Sequence, residues 1–403
     1  MRRDMSKLHR VIGLGGLTLY GIGVTLGAGI YALVGEMSAV AGGWAPLAFL
    51  LAGALAALTG ISYAELGSRY PESAGEAAYM EHGFGRRWVT ALAGYGVALS
   101  GSFSAAVVLH GFAGYVGELV DVPGWLAMTG ALAILVAVAA WGVRESIWMA
   151  GVITLVEAAG LLLIIAVAAP DAISNPIASQ PFAGVPWGGV FAASVMAFFA
   201  FIGFEDIVNM AEETKAPERN LPLAILITLA VSSVLYLVVS WVAVRTMDPA
   251  VLASEGGPLA AVFETATGLP GAPVAVIAVL AMVNGALVQV MMASRVLYGL
   301  SRRGLSLKAF SAIHPERRTP VIATAAAGLV IWLLAMSGAL GSLATAASTV
   351  TLLVFALVNA ALLAVRAKQK EAAPHFTAPL FVPVLGLVGN LAVVAGVLVD
   401  ALG

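Results

Sequence analysis

Residues 21–31 read Gly21-Ile22-Gly23-Val24-Thr25-Leu26-Gly27-Ala28-Gly29-Ile30-Tyr31, with four glycines in the middle of an apolar run. Glycine inside a helix is less stable than alanine by about 0.5–1 kcal/mol per position, so this stretch is a weak point in any helix it joins. Main-chain groups freed in hydrocarbon have no water to bond, and an interrupted helix is tolerated at membrane depth only where it lines a cavity. Gly23 and Gly27 also stand four apart, which is the spacing of a close helix–helix contact between small residues, and the stretch alone leaves both readings open.

A second weak point follows in Phe198-Phe199-Ala200-Phe201-Ile202-Gly203-Phe204-Glu205-Asp206, where a glycine meets two carboxylates inside an apolar segment. Five spans separate the two. Corresponding interruptions in two halves of a chain point to an inverted-repeat carrier with its site near the membrane midplane.

The composition requires a membrane. Hydrophobic residues make up 61% of the chain and charged residues 10%, against about one quarter charged in an ordinary soluble domain. The mean hydropathy of +0.98 excludes a soluble globule, and a net charge of -2 gives no handle for nucleic acid or another highly charged partner. The 45 glycines and the absence of cysteine suit closely packed membrane helices without disulfides. The basic N-terminus is expected to be retained, because no small-residue cleavage site follows it.

With about 20 apolar residues per crossing, eleven spans are expected: Val11–Glu36, Ala45–Leu66, Trp88–Val120, Pro123–Gly142, Ser146–Ala169, Gly188–Met210, Leu221–Val244, Gly271–Arg295, Pro320–Met336, Leu343–Val365 and Pro379–Asp400. The segments Val244–Gly271 and Arg295–Pro320 are too short for a separate domain and read as amphipathic or re-entrant pieces. Cytoplasmic loops accumulate Lys and Arg. Alternating the loops from a cytoplasmic N-terminus puts nineteen of the twenty basic residues inside and leaves Arg245 outside, and an odd span count then puts the C-terminus outside. The expected organisation is residues 1–170 and 188–366 as two five-helix halves, with 379–403 as an additional span.

Four further stretches carry a resemblance: GVTLGAGIYALVG, YAELGSRYPESAGEAAYM, FFAFIGFEDIVNMAEETKAPERNLPLAI and SRVLYGLSRRGLSLKAFSAIHPERRTP. In this order they resemble the amino acid–polyamine–organocation family, and within it the permeases similar to cationic amino acid transporters. The resemblance implies an all-α integral membrane protein of the plasma (inner) membrane with a LeuT-type fold. That fold is a 5+5 inverted repeat with helices 1 and 6 broken. Eleven spans depart from the twelve usual in the family.

A zwitterionic amino acid needs donors for its carboxylate and acceptors for its ammonium, and broken helices supply both from the main chain. Gly27, Ala28 and Gly29 at the start of an outer half-helix offer free N–H groups and a positive dipole end for the carboxylate. Val24, Thr25, Phe199 and Ile202, at the C-terminal ends of the inner half of helix 1 and the first half of helix 6, offer carbonyls for the ammonium, and the resemblance implies the same roles. Phe199 reads either as core packing or as a gate over the substrate. Span three offers Ser100, Ser102 and Ser104 to the substrate side chain, with Ser102 as the candidate contact, and span ten offers Thr345, Ser348 and Thr349. None is acidic, which favours neutral amino acids unless Asp206 faces the cavity. A polyamine carrier or an exchanger of the same fold is the alternative.

Only Glu157, Glu205 and Asp206 fall well inside spans, where an ionised side chain costs about 2.5–3.5 kcal/mol at the centre. Glu157 is halfway along span five with no basic residue near it in sequence. It reads as a proton carrier with Asn284 as its hydrogen-bond partner, as a permanently neutral packing carboxyl, or as a sodium ligand, the last disfavoured because span eight lacks an adjacent Ser/Thr pair. The resemblance implies an ionisable residue at this place in some proton-coupled members. Glu205 reads as a gate or proton sensor, or as a cap on the second half-helix. His110 is expected to be a satisfied helix-contact histidine. No metal-ligand cluster, phosphate loop or Ser/His/Asp arrangement is visible, so no cofactor, metal or enzymatic activity is expected.

Overall fold

The computed structural model describes residues 10–72, 75–142, 147–174, 184–368 and 376–402, without the side chains of residues 28, 147–150 and 401–402. Arg2, Arg3, Lys7, Arg144, Ser146 and Lys370, which entered the reading of orientation and of the fifth span, lie outside those residues.

The described chain is helical almost throughout. Its first half holds α1 (Leu14–Leu26), α2 (Ala28–Ala41), α3 (Ala45–Arg69), α4 (Gly75–Phe84), α5 (Arg87–Gly117), α6 (Gly124–Trp141) and α7 (Ile147–Ser174). The second half holds α8 (Trp187–Phe199), a 3-10 segment (Phe204–Glu213), α9 (Pro217–Thr246), α10 (Pro249–Ser254), α11 (Pro258–Thr267), α12 (Ala272–Arg302), α13 (Val321–Ser337) and α14 (Leu340–Lys368), and α15 (Phe381–Leu402) ends the chain.

Among the described residues nine stretches are long and apolar enough to cross a membrane, and the 17 residues of α13 form a shorter apolar helix. The first stretch, Leu14–Arg69, runs for 56 residues. At about 1.5 Å per residue it is more than twice as long as a hydrocarbon core of about 30 Å. It is therefore long enough to cross twice, and it bends at Gly42–Trp44, where Gly42 takes a φ of 56° and Pro46 opens α3. The sixth expected span is not one helix, because α8 stops at Phe199 and the chain continues in 3-10 form. The segment after span seven contributes α10 and α11, each opened by a proline.

The basic ends of the helices meet on one side of the bundle. Arg87 donates to the Arg303 carbonyl at 2.9 Å, Lys368 donates to the Gly83 carbonyl at 2.6 Å, and the Arg317 guanidinium lies 4.6 Å over the Trp141 ring. Arg245 sits at the far end of α9, 5.9 Å over Trp241.

Without a hydrophobic driving force between helices in lipid, small residues and polar bonds hold the bundle. A methyl at Gly94 would stand 2.7 Å from Leu300 and one at Gly96 2.7 Å from Val354, so α5 packs on α12 and α14 at glycine. Asn359 of α14 accepts from Ser62 at 2.7 Å and donates to Thr59 at 3.0 Å, and Asn390 of α15 donates to the same Thr59 at 3.1 Å. Nearer the basic end, the fully buried Glu65 accepts from Arg69 at 2.9 Å, from Arg366 Nε at 3.0 Å and from the main-chain N–H of Ala378 at 2.7 Å. Arg366 completes the clamp by donating to the Ala378 carbonyl at 2.6 Å.

Candidate functional site

The glycine-rich stretch breaks at one residue. α1 ends at Leu26 and α2 begins at Ala28, with Gly27 between them at φ −37° and ψ −137°. The second interruption is longer. After Phe199 the N–H groups of Ala200, Phe201 and Ile202 each bond three residues back, at 3.0, 3.0 and 3.1 Å. Gly203 then takes a φ of 126°, a conformation that L side chains rarely adopt. The Glu205 carboxylate accepts from the Gly203 N–H at 2.8 Å.

The two interruptions lie against each other. A methyl at Gly29 would be 2.5 Å from Ala200 Cα, and one at Gly203 would be 2.8 Å from Val24 Cγ1 and 2.9 Å from the Val24 carbonyl. Glycine at these positions allows main chain to approach main chain. The fully buried Tyr236 of α9 fixes the pair, its hydroxyl lying between the carbonyls of Thr25 and Ala200. Phe49 and Phe201 hold the Tyr236 ring, with centroids at 5.4 and 5.2 Å.

From this point a cavity of about 550 Å³ runs to the basic end. Ile202, Ser100, Thr351 and Phe355 line its inner part. Glu76, Glu205 and Asp206 supply acidic groups to its lining, and Arg295 of α12 and Arg303, the residue that follows α12, supply basic ones. Tyr63 donates to Glu76 at 2.9 Å, and Asn209 donates to Asp206 at 3.3 Å. Burial raises the Glu76 carboxyl from its ordinary value, and the Tyr63 bond opposes that shift.

Of the residues singled out in the sequence, Ser100, Ile202, Glu205 and Asp206 line the cavity. Val24, Thr25, Gly27, Gly29 and Phe199 do not line it, and belong to the contact between the interruptions or flank it; the Ala28 side chain lies outside the described residues. Ser102 is not among the residues that line this cavity. Its hydroxyl donates to the Ala98 carbonyl at 2.8 Å, while Ser100, about 200° away around a 3.6-residue helix, lines the cavity and bonds Thr351 at 2.5 Å. His110 bonds the Ala335 carbonyl at 2.9 Å. Asp206 does face the cavity, so the argument against a cationic substrate loses its main support.

Glu157 is 1% exposed, and neither carboxyl oxygen has a hydrogen-bond partner, so the bond expected from Asn284 is not made. The helix register explains this. A methyl at Gly160 would meet Ile277 at 2.9 Å, and because α7 and α12 run antiparallel, residues 280–281 come level with Glu157. Asn284 therefore lies about one turn further toward the basic end.

Sequence reasoning passed over Tyr236, Glu76, Asn209, Arg295 and Arg303 as site residues. Glu76 was inside the quoted YAELGSRYPESAGEAAYM stretch, but Tyr236 is one aromatic among many in an apolar span and gave no signal.

Apolar helices long enough to cross a membrane, packed around a cavity lined by acidic and basic side chains, are the architecture of a multi-pass membrane protein. The amino acid permease family model matches residues 12–401, and the chain belongs to that family. It is 31% identical to the branched-chain amino acid permease BcaP of Bacillus subtilis (strain 168), over 93% of this chain and 84% of that protein. It is 30% identical to the methylthioribose transporter of the same organism, over 95% of this chain and 87% of that protein. Identity to the vacuolar cationic amino acid transporter 2 of Arabidopsis thaliana is 32%, over 89% of this chain and 60% of that longer protein.

Proposed function

We propose that the protein is a secondary active transporter of neutral L-amino acids, working by alternating access with a proton as the coupling ion. The observation that carries this reading is the pairing of the two interruptions at the blind end of the cavity, where unwound main chain can serve both charged groups of an amino acid. In this reading α1–α7 and α8–α14 are the two halves of a LeuT-type 5+5 inverted repeat, α15 is an additional span, and the chain crosses the plasma (inner) membrane eleven times. The basic end faces the cytoplasm, as does the N-terminus, with the C-terminus outside. The cavity then belongs to a cytoplasm-facing state. The Val24, Thr25, Phe199 and Ile202 carbonyls and the N–H groups of Gly27, Ala28 and Gly29 take the substrate once the interruptions part, and Phe199 gates it.

Glu157 carries the proton in this reading, because it is a deeply buried carboxyl whose oxygens are unpartnered. Glu205 caps the Gly203 N–H and contributes to closing the cavity.

A second reading, a cationic substrate, is favoured by the Glu76, Glu205 and Asp206 carboxyls and by the relatives named as cationic amino acid transporters. A thermal-shift screen in detergent with L-leucine, L-valine, L-alanine, L-arginine, L-lysine, a polyamine and methylthioribose separates these, since a ligand stabilises the state that binds it. Stabilisation by neutral amino acids is expected. Stabilisation by arginine and lysine alone supports the second reading, and by methylthioribose alone defeats both.

A further inference from the structure

Tyr115 of α5 is fully buried at the end of the bundle opposite the basic residues, and its one hydroxyl serves two other elements. It donates to the Tyr31 carbonyl of α2 at 3.0 Å and accepts from the Leu259 N–H of α11 at 3.1 Å. That N–H is a free donor in the first turn of α11, where the N-cap residue Gly257 has no side chain to offer it. The Tyr31 ring meets the Tyr115 ring edge-on at 6.3 Å, and the Tyr31 hydroxyl donates to the main-chain carbonyl of Glu157 on α7 at 3.1 Å. The first turn of α2 is thereby tied to α5, α7 and α11.

The same place is closed by main chain packed on its neighbours at glycine. A methyl at Gly35 of α2 would stand 2.9 Å from the Leu252 carbonyl oxygen of α10, one at Gly257 would stand 3.0 Å from the Tyr115 ring, and one at Gly114 of α5 would run into the Gly256 carbonyl. The α10–α11 segment is therefore seated between α2 and α5, and none of these residues lines the cavity that runs to the basic end.

Resting on the alternating-access reading above, we infer that Tyr115 is a positioning residue for transport: its hydroxyl locks α2 and the α10–α11 segment together while the cavity faces the basic end, and both bonds open when the opposite side admits substrate. α2 begins with Ala28 and Gly29, whose N–H groups take the substrate carboxylate in that reading, and Tyr31 lies within one turn of them. α2 cannot tilt away from α5 with the α10–α11 segment in place without leaving a buried donor or acceptor unpaired. The lock thus stabilises one access state and not the other, which is what sets a two-state equilibrium.

The test is the reactivity of single introduced cysteines in the full chain, which has none of its own. Leu259→Cys keeps the main-chain N–H that bonds Tyr115 and puts a thiol at a fully buried position, and Val288→Cys puts one on the cavity lining. A membrane-impermeant maleimide is applied to intact cells and to inside-out vesicles. Adding Tyr115→Phe is expected to raise the labelling rate of Leu259→Cys in intact cells by about tenfold, the effect of one buried hydrogen bond lost, without raising that of Val288→Cys in inside-out vesicles. Gly257→Ala keeps the hydroxyl but pushes the segment off the Tyr115 ring, and is expected to act in the same direction. Unchanged labelling of Leu259→Cys in the folded variants overturns the lock and leaves the alternating-access reading standing. A rise at both cysteines overturns the lock too, because a loosened fold exposes both sides. Labelling of Val288→Cys in intact cells and not in inside-out vesicles overturns the orientation in that reading, and the lock with it.

Discussion

The hydroxyl of Tyr236 donates to the carbonyl of Ala200 at 2.8 Å and at the same time reaches the carbonyl of Thr25. Both carbonyls are at helix C-terminal ends, which carry negative partial charge, so the phenol O–H stands between two ends that repel each other. Tyr236→Phe keeps the ring between Phe49 and Phe201 but removes the donor. The expected loss is about 1–3 kcal/mol, the cost of leaving buried acceptors without a partner, read as a lower unfolding temperature in detergent. An unchanged melt would mean the glycine contacts alone hold the interruptions together.

Gly29→Ala is expected to remove transport, because the added methyl would stand 2.5 Å from Ala200 Cα and force the interruptions apart. Gly285 in α12 is the control, since a methyl there meets nothing within 4 Å. Gly285→Ala is expected to leave transport intact and to gain about 0.5–1 kcal/mol of helix stability. Uptake into proteoliposomes, with circular dichroism on the same samples, checks both variants.

Glu157→Gln mimics the protonated carboxyl. Leucine uptake driven by a pH gradient is expected to collapse, while exchange without a gradient survives, because proton and substrate affinities are linked reciprocally. Glu205→Gln keeps an oxygen for the Gly203 N–H, so it is expected to change rates without erasing the pH dependence. Flux measured at several internal and external pH values, with and without sodium, decides. Wild-type uptake that ignores pH and requires sodium would end the proton reading.

Glu76 gives a pH-dependent stability with a definite sign. Burial raises its folded-state value above the ordinary 4.5, so folding favours the protonated carboxyl. That contribution is fully present below pH 4.5 and is lost as pH rises through the raised value. Glu76→Gln stays neutral at every pH, so its melting temperature is expected to exceed that of wild type above this window and to converge with it below. Parallel melting curves at all pH values would show that the Tyr63 bond cancels the burial.

Hydropathy made most of the helices legible; α1 ends beside Gly27, whereas α8 ends at Phe199, four residues before Gly203. Which face of each helix looks inward was not legible. In a span apolar on every side, the 3.6-residue period has no polar stripe to mark it. Hence nothing in the sequence separates Ser100, which lines the cavity, from Ser102, or sets the α7–α12 register that places Asn284 a turn away from Glu157. Tyr236 acts through its position between two main-chain carbonyls, and no local pattern encodes that.

Glu65 and Arg366 are 301 residues apart in the chain. During synthesis at about 5–20 residues per second, the carboxylate of α3 enters the bilayer roughly 15–60 seconds before its arginine exists, and the Ala378 N–H follows later still. Until then Arg69, one turn away, is its only cationic neighbour within the clamp. The cluster therefore forms in two stages: a nascent chain that stalls before α14 holds the Glu65–Arg69 pair alone, and arrival of the last helices adds the Arg366 guanidinium and the Ala378 N–H to the same carboxylate.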